Sequence, residues 1–117
     1  MRRGLLVCGG SVRIARAEWA VTLFERLRGL LGRASLGPDA ALLIERCGAI
    51  HTVGMRFALD VVFLDRHWRV IRVCRAVPPG RLWVWGGWRA VRTLESEAGC
   101  VDWSSVRAGD EVVWSAR

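Results

Sequence analysis

The sequence predicts a mainly β protein, a two-sheet β-sandwich or jelly-roll-like fold with one α-helix, in a single domain over residues 1–117. Short apolar runs recur along the chain, and turn residues separate them at regular intervals, which is typical of sandwiches and barrels. Only one segment, at about 20–31, has apolar residues at helical spacing. The length of 117 residues, with 52% hydrophobic and 25% charged residues, fits one folded unit.

The chain begins with two predicted strands and the helix. Residues 4–8 and 12–16 are apolar runs on either side of the turn 9–11, a pattern that favours a hairpin. The period then changes, because four leucines recur three or four residues apart between charged residues. We therefore expect a helix over about 20–31 that ends near Gly32. The four leucines are Leu23, Leu27, Leu30 and Leu31.

The second half returns to short strands. A turn at 37–39 leads into the apolar run 40–46. The runs 61–64 and 68–73 flank Asp65-Arg66-His67, which predicts a tight hairpin. The remaining predicted elements are a break at 77–80, strands at 91–95 and 111–114, a loop or helical turn at 98–106 and a tight turn at 109–110.

The charge of the chain is strongly positive. The formal net charge is +7, from 18 basic and 11 acidic residues, and every basic residue is an arginine. Such a charge suits nucleic acid or an anionic surface. However, the arginines are scattered and the chain has no Lys, Asn, Gln or Tyr, which indicates a general composition bias. We therefore keep nucleic-acid binding only as a second alternative function.

The cysteines and the N-terminus bear on the compartment. The four cysteines lie far apart with no CxxC pair, which argues against a zinc knuckle or a redox dithiol. We expect free, buried thiols in a reducing compartment. The apolar stretch 4–12 is too short and too glycine-rich for a signal peptide, and no apolar run could span a bilayer. The expected location is the cytoplasm. We expect the protein to bind no cofactor and no metal.

The stretch from Cys47 to Asp65 places polar groups inside an apolar run, where they must be hydrogen-bonded or functional. In an extended segment, Cys47 and His51 share one face. Asp60 begins one predicted strand and Glu95 ends another, so packing of these strands side by side would bring both carboxylates and the histidine to one cleft. The candidate ligand-binding residues are Cys47, His51, Thr52, Met55, Arg56, Asp60 and Glu95.

Two simpler interpretations of these residues stay open. Cys47 could be a small buried apolar residue, and His51 could hydrogen-bond to a backbone carbonyl. The carboxylates could belong to an internal ion-pair network, with Arg56 or Arg92 neutralising Asp60 or Glu95.

A tryptophan-rich stretch lies at 81–89. Trp83 and Trp85 alternate on one face of a predicted strand, and exposed rings there would form a stacking platform for sugars or bases. Because Leu82 and Val84 make the other face apolar as well, we expect burial or a protein interface. The candidate partner surface consists of Trp83, Trp85 and Trp88.

Several pieces of the sequence together resemble a known family. They are Arg28-Gly29-Leu30-Leu31-Gly32-Arg33, His51-Thr52 with Met55-Arg56, Leu59-Asp60-Val61-Val62-Phe63-Leu64-Asp65, Leu94-Glu95 with Ala98-Gly99, and Gly109-Asp110. Their order and spacing resemble the domain-of-unknown-function 192 (DUF192) family over nearly the whole chain. The resemblance implies a compact, mainly β fold like a two-sheet sandwich or jelly roll. It implies no established activity.

The sequence therefore predicts a non-enzymatic binding or accessory module with a polar cleft for a small ligand or a partner peptide. No residue is assigned a catalytic role, and the expected state is a monomer or a homodimer. One alternative is a hydrolase or metal-dependent enzyme that uses His51, Asp60 and Glu95. The second alternative is nucleic-acid binding through arginine and tryptophan.

Overall fold

The computed structural model describes residues 1–117, and most of its regular structure is β-strand. The strands are β1 (Arg2–Cys8), β2 (Val12–Ala20), β3 (Ala40–Glu45), β4 (Ala49–Ile50), β5 (Leu59–Leu64), β6 (Val70–Val77), β7 (Val84–Trp85), β8 (Arg92–Glu97) and β9 (Val112–Ala116). The single helix, α1, is Leu23–Arg28. The predicted fold class, mainly β with two sheets in a sandwich-like arrangement and one helix, is confirmed.

Seven strands form the larger sheet, in the order β6-β5-β8-β3-β2-β1-β9, and β4 pairs with β7 in a second, two-stranded sheet. Every neighbouring pair is antiparallel except β2 and β3, which are parallel. The larger sheet is bent so that its two edge strands, β6 and β9, approach each other. An isolated β-bridge between Arg69, just before β6, and Glu111, just before β9, shows this approach.

Two apolar clusters lie on the two faces of this bent sheet. The first cluster is enclosed by the bend and has the fully buried Trp103 among its members. The second cluster lies on the other face of the central strands. Its members include Leu30, Ile50 and Val84, which belong to the segments that cover this face. Alternate residues of β5 enter each cluster, which explains why this strand is a continuous apolar run that is buried throughout.

The helix is shorter than the sequence predicts. Thr22 caps it and forms a capping box with Glu25, and Gly29, at φ 52°, ends it. The predicted end near Gly32 was therefore wrong. Leu23 and Leu27 are exposed, and no residue of the helix is buried, whereas Leu30 enters the core from the turn that follows. The helical spacing of the leucines therefore predicted the helix. However, the helix does not pack an apolar face against the core.

The predicted hairpin between β5 and β6 is confirmed. Asp65 shapes its turn, because its Oδ1 accepts hydrogen bonds from the backbone N–H groups of His67 and Arg69. The two-stranded sheet packs tightly on the larger one through Gly86, where a Cβ atom would overlap the ring of Phe63. This close approach places β4 and β7 directly over the second cluster.

Candidate functional site

A cavity of about 330 Å³ lies between the segment 23–31 and the segment that contains β4, above the second apolar cluster. Ten of its 17 lining residues are hydrophobic, so an apolar molecule could fill most of it. Leu23 and Leu27 of α1 form an apolar edge at its mouth, and both side chains are largely exposed to solvent. The volume falls in the lower part of the range of small-molecule pockets in proteins.

Glu95 is the acidic residue in the lining of this cavity. It lies in the middle of β8, paired with Leu42 of β3 on one side and with Val61 of β5 on the other. Its side chain is only 5% exposed, and it takes part in no ion pair and no hydrogen bond. Burial in apolar surroundings disfavours the charged form and raises the pKa of Glu95 to about 7. At neutral pH the carboxyl group is therefore close to its midpoint of titration.

Asp60 lies on the opposite face of the sheet from Glu95. The register between β5 and β8 pairs Asp60 with Ser96 and Val61 with Glu95, and neighbouring residues of a strand point to opposite faces. The Asp60 carboxylate accepts hydrogen bonds from the backbone N–H of Ala76, at 2.8 Å, and of Gly99, at 3.2 Å. It therefore ties β5 to β6 and to the turn that follows β8.

Of the other predicted ligand-binding residues, three line the cavity together with Glu95. They are Cys47, His51 and Met55. The Cys47 thiol donates a hydrogen bond to the carbonyl oxygen of Ala49, at 3.2 Å, and its pKa is raised, chiefly by burial. A thiol in this state is a poor nucleophile. His51 is exposed at the mouth, and no hydrogen bond or ion pair fixes its ring.

The remaining two candidates, Thr52 and Arg56, lie outside the cavity. Thr52 is fully buried, where its hydroxyl donates to the carbonyl of Pro78 and accepts from the backbone N–H of Arg81. It joins the loop after β4 to the loop before β7. Arg56 is exposed and makes no ion pair.

The proposed neutralisation of the carboxylates by arginine does not occur. Arg92 instead pairs with Glu45, at 3.1 Å between its Nε and the carboxylate, and Asp60 is held by backbone groups. Glu95 has neither kind of partner. No group of three or more His, Cys, Asp or Glu side chains is arranged so that it could hold a metal ion.

Three arginines that were not predicted as site residues line the cavity. They are Arg26, Arg28 and Arg46. Arg26 donates from Nη2 to the carbonyl oxygen of Arg46, at 3.0 Å, while its Nε–H is buried without a hydrogen-bond partner. The lining of the cavity includes one unpartnered acceptor, the Glu95 carboxylate. Basic groups surround its mouth.

The tryptophans of the candidate partner surface are exposed. Trp83 is 66% exposed, Trp85 39% and Trp88 93%, and the neighbouring Leu82 is also solvent-exposed. The expectation of burial is therefore wrong for these rings, and the alternative, a partner surface, stays a prediction. The strand β7 includes only Val84 and Trp85, so Trp83 and Trp88 lie in the loops around it.

Comparison with known proteins identifies the family. The chain matches the model of DUF192, described as Uncharacterized ACR, over residues 6–114. It is also 32% identical over 109 residues to a UPF0127 protein of Thermococcus sibiricus (strain DSM 12597 / MM 739), a match that covers 90% of this chain and 70% of that protein. This chain belongs to the DUF192 family. The resemblance predicted from its motifs is thus confirmed.

Two solved structures share the fold of this DUF192 chain. A protein of unknown function from Novosphingobium aromaticivorans DSM 12444 superposes with a TM-score of 0.79 at 21% identity, over 94% of this chain and 84% of that one. A protein from Sinorhizobium meliloti 1021, named provisionally as a transcription regulator, gives 0.76 at 23% identity, over 97% and 92%. At such identities the likeness concerns the fold alone.

In this DUF192 chain, four of the pieces that carried the family resemblance contribute to the lining of the cavity. The segment 28–33 supplies the turn after α1, the segment 51–56 supplies His51 and Met55, β5 supplies Leu59, and β8 supplies Glu95. These pieces are separated in the sequence and meet only through the fold.

The one helix of the chain is too short to cross a membrane.

Proposed function

We propose that this protein is a non-enzymatic binding module and that its ligand is a small amphiphile held in the cavity by Glu95. The observation that supports this most directly is a nearly buried carboxyl group with no partner, in the wall of a mostly apolar cavity of about 330 Å³. Burying an unpaired carboxylate costs on the order of several kcal/mol. Natural proteins therefore rarely retain such a group unless it has a function. A ligand with a hydrogen-bond donor would satisfy it.

The lining restricts the chemistry of the ligand. An apolar body would cover the hydrophobic wall and the exposed side chains of Leu23 and Leu27, with a gain of about 25 cal/mol per Å² of apolar surface buried. A hydroxyl or amide N–H group would donate to Glu95. Because Arg26, Arg28 and Arg46 surround the site, a neutral or anionic molecule is favoured over a cation. A side chain of a partner peptide with the same chemistry would also fit the volume.

Binding is favoured over hydrolysis by the positions of the candidate catalytic groups. A mechanism that uses His51, Asp60 and Glu95 together would need both carboxylates on one face, and the register of β5 and β8 separates them. A mechanism that uses Cys47 would need a thiolate, whereas burial raises the pKa of that thiol. Neither obstacle affects a site that only binds.

The proposal is tested with matched ligands. An alkanol and its methyl ether have almost the same apolar body, but only the alkanol can donate a hydrogen bond. Titration calorimetry should give tighter binding of the alkanol to the wild type, by about tenfold or more. The variant Glu95→Leu should bind the two equally. Glu111→Gln, which neutralises an exposed acid elsewhere, serves as the control and should keep the preference.

Two results would contradict the proposal, and a third would contradict its argument from charge. If Glu95→Leu kept the preference for the alkanol, the carboxylate would not be the group that recognises the donor. If no amphiphile bound to the wild type at all, the cavity would not be a ligand site. A primary alkylamine that bound more tightly than the alkanol would contradict the argument from the surrounding arginines.

A further inference from the structure

One stretch of the chain that contributes no residue to the cavity has an unusual composition. Residues 66–94 contain seven arginines and four tryptophans but no Asp or Glu. Arg92 is paired with Glu45, and Arg69 lies 4.0 Å from Glu111. The other five arginines are exposed and take part in no ion pair. They are Arg66, Arg72, Arg75, Arg81 and Arg89.

Within this basic region, the segment 81–89 exposes four large apolar side chains in nine residues. Leu82 is 81% exposed and Trp88 93%, and Trp83 and Trp85 lie between them. Trp85 and Trp88 contact each other edge to face, with ring centroids 5.0 Å apart. Isolated apolar residues are normal on a surface, but a contiguous apolar patch indicates a site of interaction.

The backbone of this segment is firmly attached to the body of the protein. The carbonyl of Trp85 accepts a hydrogen bond from the Arg72 guanidinium, at 2.9 Å, and the N–H of Gly86 donates to the carbonyl of Gly48, at 2.9 Å. Val84 pairs with Ile50 and is buried in the second cluster. The backbone of β7 is therefore attached to the body of the protein, and the exposed rings lie on β7 and on the loops beside it.

We propose that the surface formed by residues 81–89 and the neighbouring exposed arginines docks this protein on an anionic lipid bilayer. Tryptophan and leucine side chains enter the boundary between lipid headgroups and acyl chains, where an apolar ring with one polar N–H is favourable. Arginines around them bind lipid phosphates, and basic residues near an anionic leaflet add attraction that depends on salt. Arg81 and Arg89 flank the apolar residues on both sides.

This surface fits a bilayer better than single-stranded nucleic acid. Nucleic-acid surfaces use the faces of aromatic rings, on which bases stack. Leu82 has no such face, and Trp85 and Trp88 are perpendicular to each other, with an interplanar angle of 88°. A bilayer requires only apolar side chains beside basic ones.

Co-sedimentation of the full chain with vesicles tests the proposal. Vesicles of phosphatidylcholine mixed with phosphatidylglycerol should bind the protein, vesicles of phosphatidylcholine alone should bind it much less, and added salt should weaken binding. The variants Leu82→Ser and Trp88→Ser should each reduce the partition coefficient by about tenfold. Val113→Ser, which removes an exposed apolar side chain on β9, should leave it unchanged.

Charge reversal supplies a second, matched pair. Arg81→Glu lies in the proposed surface, and Arg13→Glu on β2 lies outside it, with the same change in net charge. Arg81→Glu should weaken binding by about tenfold or more, whereas Arg13→Glu should weaken it much less, and circular dichroism should show both variants folded. Equal effects of the two reversals would overturn the proposal, because attraction by total charge would then account for binding.

Three other outcomes would also overturn it. One is failure of the wild type to bind anionic vesicles. Another is tighter binding to single-stranded DNA that is lost in Trp88→Ser, since the surface would then belong to nucleic acid. The third is a dimer, detected by sedimentation, that dissociates in Leu82→Ser, since a second copy of the chain would then cover the patch.

Discussion

Replacing Glu95 by glutamine should remove a loss of stability that the wild type undergoes as the pH rises. Burial raises the pKa of this carboxyl from 4.5 to about 7. The folded state therefore holds the proton more tightly than the unfolded state does. The stabilisation from this group is complete below the unfolded pKa of 4.5 and is lost as the pH rises through about 7.

The expected magnitude follows from the same two values. The interval between 4.5 and about 7 corresponds to about 3 kcal/mol at about 1.4 kcal/mol per pKa unit. Glutamine has nearly the same shape and stays neutral. The free energy of unfolding of Glu95→Gln should therefore exceed that of the wild type by up to about 3 kcal/mol at about pH 8, and the two should be nearly equal at about pH 4.

Urea unfolding followed by tryptophan fluorescence, repeated across this pH range, measures the difference. Other acids act in the opposite direction, because hydrogen bonds lower the pKa of Glu25 and of Glu97 and the stabilisation from such groups is lost as the pH falls. Their contribution cancels when the two proteins are compared at each pH. Glu111→Gln should show no such pH-dependent gain. A difference between Glu95→Gln and the wild type that stays constant with pH would refute the reasoning.

Three further predictions concern single contacts. Asp60→Asn should lower the free energy of unfolding by about 1 to 3 kcal/mol, because one of two backbone N–H groups loses its acceptor, but amphiphile affinity should not change since this residue lies on the far face. Gly86→Ala should cost about 1 to 3 kcal/mol in urea unfolding, through overlap with Phe63; an unchanged midpoint would mean that β7 shifts freely. Trp103→Phe should cost about 1 to 3 kcal/mol, because the buried hydroxyl of Ser96 loses its 2.9 Å hydrogen bond from the indole, and a double-mutant cycle with Ser96→Ala should show coupling.

Much of the fold could be predicted because local patterns determine it. The run at β5 is apolar throughout since both faces are covered, and Asp65 forms its turn through bonds to residues two and four positions later. The parallel pairing of β2 with β3 is different, because no local signal specifies which distant strand lies alongside. The helix α1 ends at Gly29, which adopts a positive φ, but Gly32 and Gly37 follow closely and also have positive φ, so the sequence alone does not show which glycine ends the helix.

The candidate site could be predicted only in part. Chain position placed Asp60 and Glu95 on neighbouring strands, as expected, but a register difference of one residue decides which face each carboxylate occupies. Nothing in the sequence states that register. The arginines around the cavity were missed because their selection depends on where α1 lies. By contrast, the sequence does show that residues 66–94 contain no acidic residue. A count of arginines over the whole chain does not reveal this.

The parallel pairing of β2 with β3 also has a kinetic consequence. Parallel neighbours require a crossover connection, and here residues 21–39 form it and carry α1 and one wall of the cavity. Because α1 buries none of its residues, the helix can open locally while every ladder of the larger sheet stays intact, whereas Leu30 holds the turn after it in the core. Amide hydrogens of α1 should thus exchange with solvent through brief local opening, whereas those of β5 should exchange only through global unfolding. Since Leu23 and Leu27 form the apolar edge of the cavity mouth, local opening of α1 would also widen the path to Glu95.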